Sequence, residues 1–114
     1  MKTTDQKAST ARLAAVNAEA MARYREMRAH VMPAPGVEAA TCEIVLAMQL
    51  ALRGHEVPFK IHAMRAMAHG VSLAQIEGLL MAGVGVTLIV CEAARALDWL
   101  READEEFRRS APAA

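Results

Sequence analysis

The sequence predicts an all-α fold of about five or six helices. Apolar residues recur at helical spacing along most of the chain, and prolines and glycines separate the apolar segments. Ser72 followed by Gln75 has the spacing of a capping box, which marks the start of a helix. At 114 residues the chain has the length of a single domain.

The N-terminal part, residues 1–36, predicts one helix and a proline-rich loop. Residues 1–9 are expected to be frayed, and Thr10 is the expected cap of a helix from Ala11 to about His30. One face of this helix is an apolar stripe, and the other carries charges of both signs, which is typical of a solvated face. The two prolines of Met32–Gly36 end the helix.

The core of the domain is expected within residues 37–109. A helix predicted over Val37–Leu52 is almost entirely apolar, which is typical of a central, buried helix. Gly54 supplies a permissive backbone after it, and the next helix is predicted over Val57–His69, with Pro58 in its first turn.

Two further helices are predicted after the capping box. The first begins at Leu73 and is expected to break at Gly83–Gly85, because two close glycines lower the helix propensity. The β-branched stretch Val84–Val90 is compatible with a strand, but its glycines and the sequence after it favour helix. The last helix is therefore predicted over Val86–Phe107, and residues 110–114 form a tail.

Composition excludes several classes of function. A formal net charge of zero and 4% aromatic residues argue against nucleic-acid and anionic-membrane partners. The first ten residues lack the apolar segment of a signal peptide, and the longest uncharged run, Gly78–Cys91, is too short to span a bilayer, so we expect a cytoplasmic protein. With 54% hydrophobic residues there is more apolar material than a small core needs, which predicts a homo-oligomer.

Two polar residues lie in apolar helices and are the main candidates for chemistry. Glu43 needs a partner or a proton if it is buried, because desolvation disfavours its charge. The alternative, slightly favoured, is a first-turn glutamate that interacts with the helix dipole or reaches solvent. His62 is surrounded by apolar residues, and such a histidine is more often a core residue with a satisfied hydrogen bond than a catalyst.

The other reactive residues form no recognisable motif. His55 alone is expected at the surface, and the spacings of the histidines and Glu43 match no common zinc site, so no metal is expected. Cys42 and Cys91 are far apart in apolar surroundings, which predicts buried, reduced thiols. No serine lies in a nucleophile elbow.

The spacing of four residues resembles the sequence pattern of the carboxymuconolactone decarboxylase and alkylhydroperoxidase-D-like superfamily. The family pattern has an acidic residue on a helix, then two cysteines three residues apart, then a histidine four residues further on. Glu43 and His62 occupy the acidic and histidine positions with the right separation, and His55 and Pro58 stand where the cysteines would be. The resemblance implies the helical alkylhydroperoxidase-D-like fold and a trimer or hexamer.

The resemblance covers about half of the chain. It extends roughly over Cys42–Asp98, and its most specific part is His62–Ile76. The chain departs from the decarboxylase pattern at Gly83–Thr87, where related sequences commonly have a Gly-x-Pro element and this one has no proline. This departure bears on the substrate more than on the fold.

The missing cysteines exclude the dithiol peroxidase reaction at this site, since that reaction needs both thiols. The resemblance therefore implies the decarboxylase branch, in which 4-carboxymuconolactone loses CO2 without a cofactor. His62 is the implied general acid/base, Glu43 the group that orients it, and His55 an auxiliary acid or carboxylate binder. The candidate substrate-binding residues are Arg65, Met48 and Met64. The alternative is a non-catalytic or differently specialised oligomeric member that has lost the dithiol.

Overall fold

A computed structural model describes residues 8–110, which form six α-helices. The helices are α1 (Ala8–Val16), α2 (Ala18–Val31), α3 (Ala39–Arg53), α4 (Glu56–Ala68), α5 (Leu73–Gly83) and α6 (Val90–Ser110). Within the described range there is no strand, and one isolated bridge pairs Val84 with Leu88. The prediction of an all-α chain is confirmed.

The N-terminal segment differs from its prediction. The single helix expected after Thr10 is two helices, because Asn17 adopts an extended backbone (φ −149°, ψ 91°) and caps α2. Its Oδ1 accepts a hydrogen bond from the backbone N–H of Ala20 at 3.0 Å, which is the usual role of asparagine at a helix start. Thr10 lies inside α1 and does not cap it. The expected frayed end is wrong at Ser9, which is helical, and residues 1–7 lie outside the described range.

Helices α3 and α4 form the centre of the molecule. They pack along each other, and α4 also packs against α6. The contact faces are rich in alanine, which lets the helices approach closely, and Phe59 fills the centre with no exposed surface. The fully or almost fully buried alanines are Ala47, Ala51, Ala63, Ala66, Ala93, Ala96 and Ala103.

Gly54 makes the sharp corner between α3 and α4. Its backbone is left-handed (φ 74°), and its N–H donates to carbonyls of the last turn of α3, as in a helix C-cap. The Arg95 guanidinium lies against this corner, and a Cβ added to Gly54 would sit 3.0 Å from Arg95 Nη2. Both the backbone angle and the close contact favour glycine here.

The C-terminal half follows its prediction up to Gly83. Ser72 and Gln75 form the capping box that starts α5, with hydrogen bonds of 3.0 and 2.9 Å. After α5 the backbone makes a tight turn in which the Gly83 carbonyl accepts from the N–H groups of three later residues, Val86, Thr87 and Leu88. This turn delays α6 to Val90, so the predicted start at Val86 is wrong.

The two N-terminal helices lie apart from the core. They contact each other, but they make few contacts with α3–α6. In the part of the chain that the structure describes, no helix is long and apolar enough to cross a membrane.

Candidate functional site

Glu43 is a buried carboxylate in the second turn of α3. The helix begins at Ala39, with Glu38 at the N-cap, so Glu43 lies beyond the first turn. Only 6% of the residue is exposed to solvent. The alternative of a dipole-binding or solvated first-turn glutamate is therefore wrong, and Glu43 needs a polar partner inside the protein.

His62 is that partner. Its Nδ1 lies 2.6 Å from Glu43 Oε1, and 18% of its side chain is exposed. When the Glu43 carboxylate is ionised it can only accept hydrogen bonds, and Nδ1 then carries the proton in this contact. In a neutral imidazole the lone pair is then on Nε2, which is the atom free to exchange a proton with a bound molecule.

The chain brings these two residues together through the corner at Gly54. The corner folds α4 back along α3, so that residues 19 positions apart in sequence meet across the helix pair. Small residues at the contact, such as Ala47 and Ala63, keep the two helices close. The pair therefore sits on rigid helices, which hold a side chain more firmly than loops do.

His55 and Arg65 lie on the same side of α4 as His62 but are exposed. His55 is the N-cap residue, seven positions before His62, which corresponds to about 10 Å along a helix axis. Arg65 follows His62 by one turn. Among the described residues, neither side chain makes a hydrogen bond or ion pair with Glu43 or His62.

The remaining predicted residues have other surroundings. Met48 and Met64 are half-buried and pack against the hydrophobic core. Cys42 is buried as predicted, and its Sγ accepts a weak hydrogen bond from the Ala34 N–H at 3.4 Å. Cys91 is exposed, so the prediction of two buried thiols is wrong for it. The reason is the late start of α6, which places Cys91 in an open first turn.

Sequence reasoning missed a buried lysine. Lys60 is 5% exposed, and its Nζ donates to Glu56 Oε2 at 2.7 Å and to Glu102 Oε1 on α6. Burial alone would lower the pKa of Lys60, but the hydrogen bonds and charges of Glu102 and Glu56 outweigh it and raise the pKa above 10.5. The i,i+4 spacing of Glu56 and Lys60 was a visible signal, whereas the contact between α4 and α6 was not.

Two surface cavities lie away from the Glu43–His62 pair. One, of about 270 Å³, lies between the end of α2, the proline-rich loop and α3, and includes Arg28, Cys42 and Gln49. The other, of about 410 Å³, is formed by residues 84–90 in the turn before α6. Neither cavity is lined by Glu43 or His62.

Among residues 8–110, no group of three or more His, Cys, Asp or Glu side chains is arranged to hold a metal ion. No protein-family model, curated protein or solved structure matches the chain. Glu43 and His62 are therefore the candidate residues for chemistry.

Proposed function

We propose that this chain is a cofactor-independent, decarboxylase-like enzyme that transfers a proton to a small unsaturated or lactone carboxylic acid of the 4-carboxymuconolactone type. The observation that carries the proposal is the 2.6 Å contact between His62 Nδ1 and the buried Glu43 carboxylate. A buried carboxylate bound to one nitrogen fixes the ring and leaves the other nitrogen for proton transfer. The resemblance in residue spacing described above supports the choice of reaction.

The reaction needs one proton and no redox step. The bond between the substrate carbon and its carboxylate breaks, CO2 leaves, and the electron pair delocalises into the unsaturated lactone. The protonated His62 then gives its Nε2 proton to the carbanion carbon, and water returns a proton to the ring. Glu43 accepts the hydrogen bond from Nδ1–H and so fixes the orientation of the ring.

Arg65 and His55 are the proposed binders of the substrate carboxylates. Both are exposed, and Arg65, one turn from His62, lies nearer to it along the helix than His55 does. A guanidinium binds a carboxylate through two parallel hydrogen bonds, which fixes its orientation. The half-buried side chains of Met48 and Met64 are the proposed apolar contacts of the substrate.

A second candidate function is a non-catalytic, oligomeric binding role. The position of the two cavities favours it, because both lie away from His62. In that case the Glu43–His62 hydrogen bond is a satisfied polar contact inside the helix pair, and its loss affects folding alone.

A homo-oligomer is also part of the proposal. Many large apolar side chains within the described range are exposed, among them Val16 at 87% and Val86 at 82%. Apolar surface of this extent is typical of subunit interfaces.

The test is an ultraviolet assay of 4-carboxymuconolactone turnover. We expect turnover by the wild type and a loss of about 10²–10⁴-fold in His62→Gln, the range that a general acid/base contributes. His62→Gln keeps an amide that can donate to Glu43, so the fold is preserved. His69→Gln is the matched control, because His69 is an exposed histidine at the C-cap of α4. Wild-type protein without turnover at high concentration rules out this substrate.

A further inference from the structure

Two separate apolar surfaces are exposed on this chain. The first, called the arm surface, lies on α1 and α2 and has exposures of 45% to 87%. Its residues are Leu13, Val16, Tyr24, Met27 and Val31. The second, called the loop surface, lies on α5, the following turn and the start of α6, with exposures of 41% to 82%. Its residues are Leu79, Met81, Val86, Ile89 and Val90.

The arm, which comprises α1 and α2, has an apolar stripe that the rest of the chain does not cover. Met21 is its only buried residue within the described range, and α1 and α2 make few contacts with α3–α6. A helix with an uncovered apolar stripe needs another surface to pack against.

The charges around the two surfaces have opposite signs. Residues 8–31 carry four arginines against two glutamates, so the arm has a positive excess. In residues 77–92 the charged side chains are Glu77 and Glu92, and both are acidic. Two arms packed against each other would bring positive charges together, whereas an arm packed on a loop surface brings opposite charges together.

We propose that the arm of one copy covers the loop surface of the next copy, in a head-to-tail arrangement. Such a heterologous contact uses two different patches and closes into a ring when the rotation between copies allows it. This pairing refines the proposed homo-oligomer and is independent of the chemistry proposed for His62. It also gives both surfaces a partner, which an arm-to-arm dimer would not.

Disulfide trapping distinguishes the two arrangements. A chain with the substitutions Met27→Cys and Cys91→Ser and a size tag is mixed with the wild type. In the wild type, Cys91 is exposed beside the loop surface, whereas Cys42 is buried. The mixture is denatured, refolded and oxidised with copper phenanthroline. We expect a disulfide between the introduced thiol and Cys91, seen as a tagged–untagged pair and located by peptide mapping. Pairs of two tagged chains, or no cross-linked chains, overturn the proposal.

Sedimentation of charge variants gives an independent readout. Met27→Glu on the arm surface and Val86→Glu on the loop surface should each reduce the particle to the 12.3 kDa monomer. Ala22→Glu is the matched control, because Ala22 is exposed on the opposite side of α2 from Met27. Assembly that survives either of the first two changes, or that is lost equally in the control, contradicts the pairing.

Discussion

The Nδ1 atom of His62 lies 2.6 Å from Oε1 of Glu43, and this contact joins the two central helices of the protein. The glutamate is buried and the histidine is partly open to solvent. Glu43 therefore fixes the Nδ1 side of the ring, and Nε2 is the nitrogen that can exchange a proton with a bound molecule. This asymmetry is the basis of the proposed proton transfer.

The first prediction concerns the tautomer of His62. With Glu43 in place, neutral His62 should carry its proton on Nδ1, because the carboxylate accepts only from that atom. Long-range ¹H–¹⁵N spectra of histidine-labelled protein measure this directly. In Glu43→Ala the Nδ1–H preference should disappear, while exposed His69 should give the same spectrum in both proteins. A wild-type His62 with its proton on Nε2 contradicts the assigned geometry.

The second prediction concerns the stability of the pair. His62→Ala should lower the free energy of unfolding by about 3 kcal/mol, because it leaves the Glu43 carboxylate buried without a partner. His69→Ala, at an exposed position, should change it by less than about 0.5 kcal/mol. Urea unfolding followed by circular dichroism gives both values. Equal effects of the two substitutions would mean that Glu43 finds another partner.

The third prediction concerns Lys60 at alkaline pH. The pKa of Lys60 is raised in the folded protein above its ordinary value of 10.5, so the folded state holds this proton more tightly than the unfolded state. This contribution to stability is complete below about 10.5 and is lost as the pH rises through the raised pKa. Wild-type protein should therefore lose stability above pH 10.5 more steeply than Lys60→Met.

Urea unfolding at a series of pH values from about 9 upwards compares the loss of stability in the two proteins. Identical pH profiles would show that Lys60 does not form the ion pairs with Glu56 and Glu102 when the protein is in solution.

The fourth prediction uses two glycines with opposite expected effects. Gly54→Ala should destabilise the protein by about 1–2 kcal/mol, because a left-handed backbone is costly for alanine and Arg95 lies within contact distance of the new Cβ. Gly78→Ala should stabilise it by about 0.5–1 kcal/mol, because Gly78 lies inside α5 with open space around it. Thermal unfolding measures both. Effects of the same sign would contradict the described corner.

Local signals in the sequence predicted most of the helical framework. The capping box at Ser72, the corner at Gly54 and the apolar helix around Glu43 are each set by neighbouring residues, and each is confirmed. The break at Asn17 was missed because the apolar stripe continues through it, and a side-chain cap can interrupt a helix without changing that pattern. The turn before Val90 was missed because its hydrogen bonds to Gly83 have no periodic signature.

The candidate site was predicted only in part. The resemblance implied that Glu43 orients His62, and the two side chains do form a contact of 2.6 Å. Burial of Lys60 and exposure of Cys91 depend on how α4 and α6 are placed, and contacts between distant segments leave no local trace in the sequence. The roles of His55 and Arg65 stay predictions, since both side chains are exposed and only a bound acid would bring them into use.

The most direct test of the central claim is the rate of 4-carboxymuconolactone turnover in a double-mutant cycle of Glu43→Gln and His62→Gln. If Glu43 acts only by orienting His62, the double variant should be as slow as His62→Gln alone, because residues that act as a unit are not additive. Glu43→Gln alone should be slower than the wild type and faster than His62→Gln. Turnover in His62→Gln equal to that of the wild type would contradict the account.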